Sequence, residues 1–212
     1  METRTVTRAY NFELRAEHDE KNGYHIVGRP IVYNSKTDLG YFDEIIEAGA
    51  LDETDLRDVR FLVNHDTSMI PLARSRRNNE NSTMQMSVDK DGMTIRVNLD
   101  IENNTDAKNL YSAIKRGDIT GMSFMFSIDS EEWDDMESDH PTRRIKKIGV
   151  VLEVSAVTFP AYESTEISAR AKETLESVKA TLDSVRAQSV DTDKDKDTLE
   201  LEKLKAHYLY HI

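Results

Sequence analysis

The sequence predicts a mainly β domain with flanking helices, an α+β chain closed into a barrel or sandwich and followed by a helical tail. Three observations predict it. Short runs alternating apolar and polar residues recur before residue 160, separated by turn residues. One strong period-3.6 pattern interrupts them near residue 107. After Ser164 the apolar spacing becomes 4-3-4-3, which a strand cannot use and a helix can.

The elements follow in order. Phe12 and Leu14 alternate with polar neighbours, Asp19 to Gly23 turns the chain, and Tyr24 to Tyr33 resumes as the second arm of a hairpin. Asn34 to Ala50 reads as loop, and Leu51 to Asp58 as a short acidic piece with helical character. A strand is expected over about Val59 to Asn64. Residues 74–82, from Arg74 to Ser82, read as an exposed polar segment. Met84, Met86 and Val88 alternate; Asp89-Lys90-Asp91-Gly92 turns; Met93, Ile95, Val97 and Leu99 alternate again, the clearest hairpin in the chain. Asn104 or Thr105 caps a helix whose apolar face is Ala107, Leu110, Tyr111 and Ile114, and Gly117 stops it. Met122 to Ile128 is a strand with Phe124, Phe126 and Ile128 on one face and Ser123, Met125 and Ser127 on the other. Residues 131–140 read as an acidic loop around Trp133. A last strand runs from about Arg144 to Phe159 and ends before Pro160.

The implied organisation is a domain over residues 1–163, an amphipathic helix over 164–190, a charged linker over 191–198 and a short amphipathic tail over 199–212. Ala171, Leu175, Val178, Leu182 and Val185 form the stripe of the long helix.

Composition narrows the function classes. The chain has 212 residues, 38% hydrophobic and 32% charged, with a net charge of −12. That balance disfavours non-specific nucleic-acid binding, which needs a surplus of Lys and Arg, and suits basic partners or substrates. No apolar run approaches the roughly 18 residues of a membrane span. Met1 to Arg8 lacks the apolar stretch of a signal peptide. There is no cysteine, hence no thiol chemistry. A cytoplasmic location, or one inside a cytoplasmic assembly, is expected.

His65 and Ser123 carry the chemical interest. A histidine takes a proton from a serine hydroxyl and makes it a strong nucleophile. His65 closes an apolar strand, where a rigid scaffold gives way to a loop; a half-buried histidine bonded to backbone is the alternative. Ser123 follows Gly121, whose lack of a side chain permits close substrate approach; a serine on the polar face of a sheet is the alternative. Glu153 lies in the apolar strand Val150 to Phe159, sharing a face with Val151, Val157 and Phe159. Buried there it needs a partner, and an imidazole suits it. On an edge strand it would face water. Asp66 is the rival orienter, disfavoured because adjacent strand residues point to opposite faces. Arg74, Arg76 and Arg77 suit an oxyanion site or an acidic substrate, against a solvated-loop reading that the pattern favours. No zinc spacing occurs in the core; His207 and His211 are four apart in the tail and read as exposed. No phosphate loop, metal or organic cofactor is implied.

Five blocks in order resemble the prohead protease family of tailed bacteriophages. They are Gly28 to Asn34, Phe42 to Leu51, Val63-Asn64-His65-Asp66 with Pro71 to Arg74, Ile119 to Phe126, and Leu152 to Tyr162, covering roughly residues 8–165. Ala73 stands where many relatives carry glycine. The resemblance implies a serine endopeptidase with a β-barrel of the herpesvirus assemblin type. It implies cleavage of scaffold segments and major capsid protein extensions, and of the enzyme itself, inside the assembling procapsid in the host cytoplasm. By position, His65 is the general base, Ser123 the nucleophile and Glu153 the orienting acid, a role for which the herpesvirus enzymes use a second histidine. No membrane or nucleic-acid partner follows, and a homo-oligomer is compatible. The rival is a non-catalytic capsid assembly or scaffolding module, which the acidic balance and the 4-3-4-3 helix suit equally well.

Overall fold

The computed structural model describes residues 4–10, 14–21, 23–159 and 171–184. The chain divides into two compact units, Met1–Ser168 and Ala169–Ile212. The first unit holds eleven described strands and one helix. The strands form two sheets.

The smaller sheet, in the order β2-β3-β9-β8, joins two antiparallel hairpins. β2 (Leu14–Asp19) pairs with β3 (Gly23–Val32), and β8 (Met84–Asp89) pairs with β9 (Gly92–Asn98). Gly92 has φ +136°, and a Cβ there would lie 2.0 Å from the Ile31 carbonyl oxygen, so only glycine lets β9 start this close to β3. Helix α1 (Thr105–Arg116) packs on β2 and β3. The Asn104 side chain accepts from the Asp106 and Ala107 amides at its start, and Gly117 in the left-handed conformation closes it. Its buried face is Ala107, Leu110, Tyr111 and Ile114, with Tyr111 edge-on to Tyr24 at 5.3 Å.

The larger sheet is organised on two long strands, β10 (Gly121–Asp134) and β11 (Thr142–Val157), which form one antiparallel hairpin. β1 (Arg4–Tyr10) pairs with the outer edge of β10. The other edge of β11 is shared. Thr142 to Ile145 pair in parallel with β5 (Asp43–Ile46), which continues to β4 (Lys36–Asp38). Glu153 to Ala156 pair in parallel with β6 (Asp58–Val63), which continues to β7 (Ala73–Arg76).

Several expectations need correction. The ladders do not close into a barrel. Register shifts between Met125 and Glu131 break the β10–β11 ladder repeatedly, and such bulges bend and twist a hairpin without joining its ends. Asn34 to Ala50 contains β4 and β5, and residues 74–82 begin with strand residues of β7. Leu51 to Arg57 forms turns with an isolated bridge from Asp55 to Val150, and Asp58 begins β6, so the segment is not a helix. Trp133 belongs to β10, so the acidic hairpin loop is shorter than 131–140.

Side chains link β1 to β5, which the ladder leaves apart, and reinforce the pairing of β5 with β11. Glu44 on β5 has a fully buried side chain and receives both Arg8 of β1 and Arg143 of β11. Arg8 Nη2 donates to Glu44 Oε2 at 2.7 Å, with a second bond from Nε to Oε1, and Arg143 Nη1 donates to Oε2 at 3.4 Å. Arg143 also bonds Glu131 and lies 5.7 Å over the Trp133 ring. Burial raises the Glu44 pKa, but the charges and hydrogen bonds of Arg8 and then Arg143 outweigh it and hold the carboxyl below its ordinary value.

In the second unit, residues 171–184 form a helix, α2, in which Ala171, Thr174 and Leu175 are buried and Leu182 is exposed. Val185, the rest of the expected 164–190 helix, the linker and the 199–212 tail lie outside the described residues, as do Phe12 and Pro160. Among the described residues no helix is long and apolar enough to cross a membrane.

Glu44→Gln should lower the unfolding free energy by about 3–5 kcal/mol at neutral pH, because it leaves two guanidinium groups facing a neutral amide in a buried site. A depressed carboxylate pKa stabilises the fold above the unfolded value and loses that contribution as pH falls through the folded one. The gap to wild type in urea unfolding should therefore shrink below about pH 4. A gap unchanged into strong acid would contradict the assignment.

Candidate active site

Glu153 and Ser155 lie two apart on β11, and Ser123 lies opposite Ser155 on β10. Paired residues share a face, so Ser123, Met125, Glu153 and Ser155 project from one side of the sheet. Phe61, Phe124, Val154 and Ala156 project from the other, into the core. Met125 pairs with Glu153 but Phe126 pairs with Val151, so Leu152 is an extra residue. This bulge reverses the alternation. Val151 points into the core and Glu153 to the opposite face, which corrects the expected sharing of a face between them.

β6 ends at Val63 beside Ala156. The next two residues leave the strand in the left-handed region, with φ 51° at Asn64 and 59° at His65. Two consecutive non-glycine residues there need support from their surroundings. The Asn64 amide group supplies part of it. Its Nδ2 donates to Thr158 Oγ1 at 3.1 Å, and its Oδ1 accepts from the Thr158 backbone N–H at 2.9 Å. The His65 backbone N–H donates to Ser155 Oγ at 3.2 Å.

This turn brings the imidazole to Glu153. His65 Nδ1 lies 2.6 Å from Glu153 Oε1. A buried carboxylate can only accept, so Nδ1 carries the proton and Nε2 is left as the basic nitrogen. Glu153 is 3% exposed, while a quarter of the His65 side chain reaches solvent. The second carboxylate oxygen is satisfied by the Ser155 hydroxyl, which donates to Oε2 at 2.5 Å. Ser155 thus holds the carboxylate with its proton and the histidine turn with its oxygen. Nothing in the sequence separates it from Ser127 or Ser123; only its position two residues after Glu153 hints at a shared face.

Asp66 does not reach the ring. Its Oδ1 accepts from the Ser68 hydroxyl at 2.5 Å and from the Ser68 N–H at 2.9 Å, and these bonds hold its pKa below the ordinary value. Strand alternation does not govern this pair, since His65 sits in a turn; the Ser68 bonds are what hold Asp66.

Ser123 is completely buried. Its hydroxyl donates to the Arg8 carbonyl oxygen of β1 at 2.8 Å, away from β11 and the histidine. The structure therefore joins His65 to Glu153 and places Ser123 one strand away, with its proton committed elsewhere.

Other candidates fall outside this cluster. Arg74 donates to Asp58, and with Arg76 it lines a cleft of ≈ 320 Å³ beside Asn79 and Thr83. Strands β6 and β11 lie between β7 and Ser123, about 14 Å from backbone to backbone at ordinary strand spacing. His25 bonds the Gly23 carbonyl, and His18 packs on Tyr24. Asp38, Asp43 and His140 lie close enough together to share a cation, but Lys36 already occupies Asp43. His207 and His211 lie outside the described residues.

A family profile described as caudovirus prohead serine protease matches residues 10–181. The chain is also similar in structure to the capsid assembly protease of bacteriophage T4, gp21. The TM-score is 0.42 and the identity 13%, over 74% of this chain and 99% of that one. No curated protein matches the chain.

Ser155→Ala should cost about 1.5–3 kcal/mol, because it leaves one oxygen of a buried carboxylate and one turn N–H without a partner. Urea unfolding checks this; a change under about 0.5 kcal/mol, typical of an unconstrained surface site, would contradict it.

Proposed function

The chain belongs to the caudovirus prohead serine protease family, and on that premise we propose that it is a serine endopeptidase acting in procapsid maturation. Its substrates in this reading are scaffold segments and extensions of the major capsid protein, and it cleaves its own tail. It works inside the assembling procapsid in the host cytoplasm. A domain over residues 1–163 carries the activity, and the helical tail serves assembly.

The observation that supports the reading is the contact of His65 Nδ1 with the buried Glu153 carboxylate. In the proposed reaction Ser123 Oγ attacks the peptide carbonyl carbon while His65 Nε2 takes its proton. The protonated imidazole then gives that proton to the leaving amine, and water releases the acyl group by the same route. Glu153 keeps the ring in the productive tautomer and stabilises its charged form. No metal or organic cofactor takes part in this scheme. Kinship with herpesvirus assemblin belongs to the same proposal, with Glu153 standing where those enzymes carry a second histidine.

One observation favours the rival, a non-catalytic assembly module: the Ser123 hydroxyl is buried and bonded to Arg8. The two readings separate in a processing experiment. Co-expressed with its capsid precursor, wild type should yield the trimmed capsid protein, and Ser123→Ala should leave the precursor intact. Equal processing by both contradicts the mechanism.

Glu153→Gln should lower kcat by about 10³–10⁴-fold, the scale set by losing the orienting carboxylate of a triad, while Asp66→Asn stays near wild type. The reverse order would move the third role to Asp66.

A truncated chain ending between about Ser164 and Asp197 should accumulate in wild type and be absent from Ser123→Ala, as read by intact mass. An uncut chain in mature particles contradicts self-processing.

A further inference from the structure

The Ser123 hydroxyl has one proton, and here it is given to the Arg8 carbonyl oxygen at 2.8 Å. While that bond stands, the proton cannot pass to His65. Rotation of the hydroxyl alone does not solve the problem. Ser123 is fully buried, so a turned hydroxyl still meets no substrate carbonyl. The strand beside the nucleophile on this side is β1, whose Ala9 is the register partner of Ser123.

β1 has the features of a detachable strand. It lies at the end of the strand order of its sheet and, among the described residues, pairs with β10 alone. A seven-pair ladder joins it to β10, and Arg8 adds a side-chain tie across the sheet. The Arg8 guanidinium bonds both oxygens of buried Glu44, while its carbonyl receives Ser123. One residue thus ties the strand to the sheet and the nucleophile to the strand. Removing β1 would expose the edge of β10 beside Ser123, a row of main-chain donors and acceptors that fits an extended peptide by strand addition.

We propose that β1 is an intramolecular occupant of the strand edge beside Ser123, holding the nucleophile off until the strand leaves and an extended peptide takes its place. This rests on the protease reading above. It gives a physical form to latency: the triad is assembled except for its nucleophile, and activation is a strand exchange. The β1–β10 ladder and the Arg8–Glu44 pair together set the population of the open state.

The chain has no cysteine, so one engineered pair makes one disulfide. Thr7 and Met125 are register partners; Met125 also pairs with Glu153, so the comparison is made within one variant, oxidised against reduced. Thr7→Cys with Met125→Cys pins β1 when oxidised and frees it when reduced. The readout is the rate of Ser123 labelling by a fluorophosphonate, located by peptide mass. Since reactivity scales with the competent fraction, the oxidised form should label at least about tenfold slower than the same protein reduced. Arg8→Ala in the full chain should label faster than wild type. Equal rates in the oxidised and reduced forms overturn the strand-exchange inference and leave the protease reading standing, and this pair decides the matter even if Arg8→Ala fails to fold. Absence of labelling at Ser123 in wild type, Arg8→Ala and both redox states overturns the protease reading and the inference with it.

Discussion

A carboxylate buried on a β-strand has to be paired, and the candidate site is organised by that need. Glu153 is almost wholly out of water. An unpaired charge there would cost several kcal/mol, more than most single contacts return. The bulge at Leu152 turns Glu153 away from the apolar core, the double left-handed turn at Asn64 and His65 delivers an imidazole to one oxygen, and Ser155 covers the other. Each feature would be strange alone. Together they satisfy one carboxylate and leave one histidine nitrogen basic.

A second buried carboxylate, Glu44, does for the fold what Glu153 does for the site. The long β10–β11 hairpin bends through successive register shifts, and the sheet edges are not joined by hydrogen-bonded ladders. Arg8 reaches across to Glu44 instead, joining a carboxylate that already pairs with its register neighbour Arg143. Ion pairs of this kind contribute little net stability compared with apolar packing, but losing one partner is costly, so they enforce one arrangement over its neighbours. Arg8 connects the two networks, since its side chain serves Glu44 and its carbonyl serves Ser123.

Local patterns were legible where one short-range rule acts alone. The α1 boundaries follow from Asn104, Gly117 and the spacing of Ala107, Leu110, Tyr111 and Ile114. The β8–β9 hairpin follows from strict alternation around Asp91-Gly92. β4, β5 and β7 were not legible, because strands of three or four residues are too short to establish a period. The Leu152 bulge is invisible for a different reason: it is a property of two paired strands, and one strand read alone shows unbroken alternation. At the site, the need of Glu153 for a partner could be read from its apolar neighbours. The role of Ser155 and the bond from Ser123 to Arg8 depend on the register of β10 against β11 and β1, which no single segment encodes.

The proposed mechanism requires Ser123, His65 and Glu153 to form one proton path in the reacting enzyme. A crystal structure of the protein after reaction with a peptidyl phosphonate tests it most directly. The account predicts phosphorus bonded to Ser123 Oγ, His65 Nε2 within hydrogen-bond distance of that oxygen, and Nδ1 still on Glu153. Phosphorus on another residue, or an imidazole that remains out of reach of a modified Ser123, would contradict it.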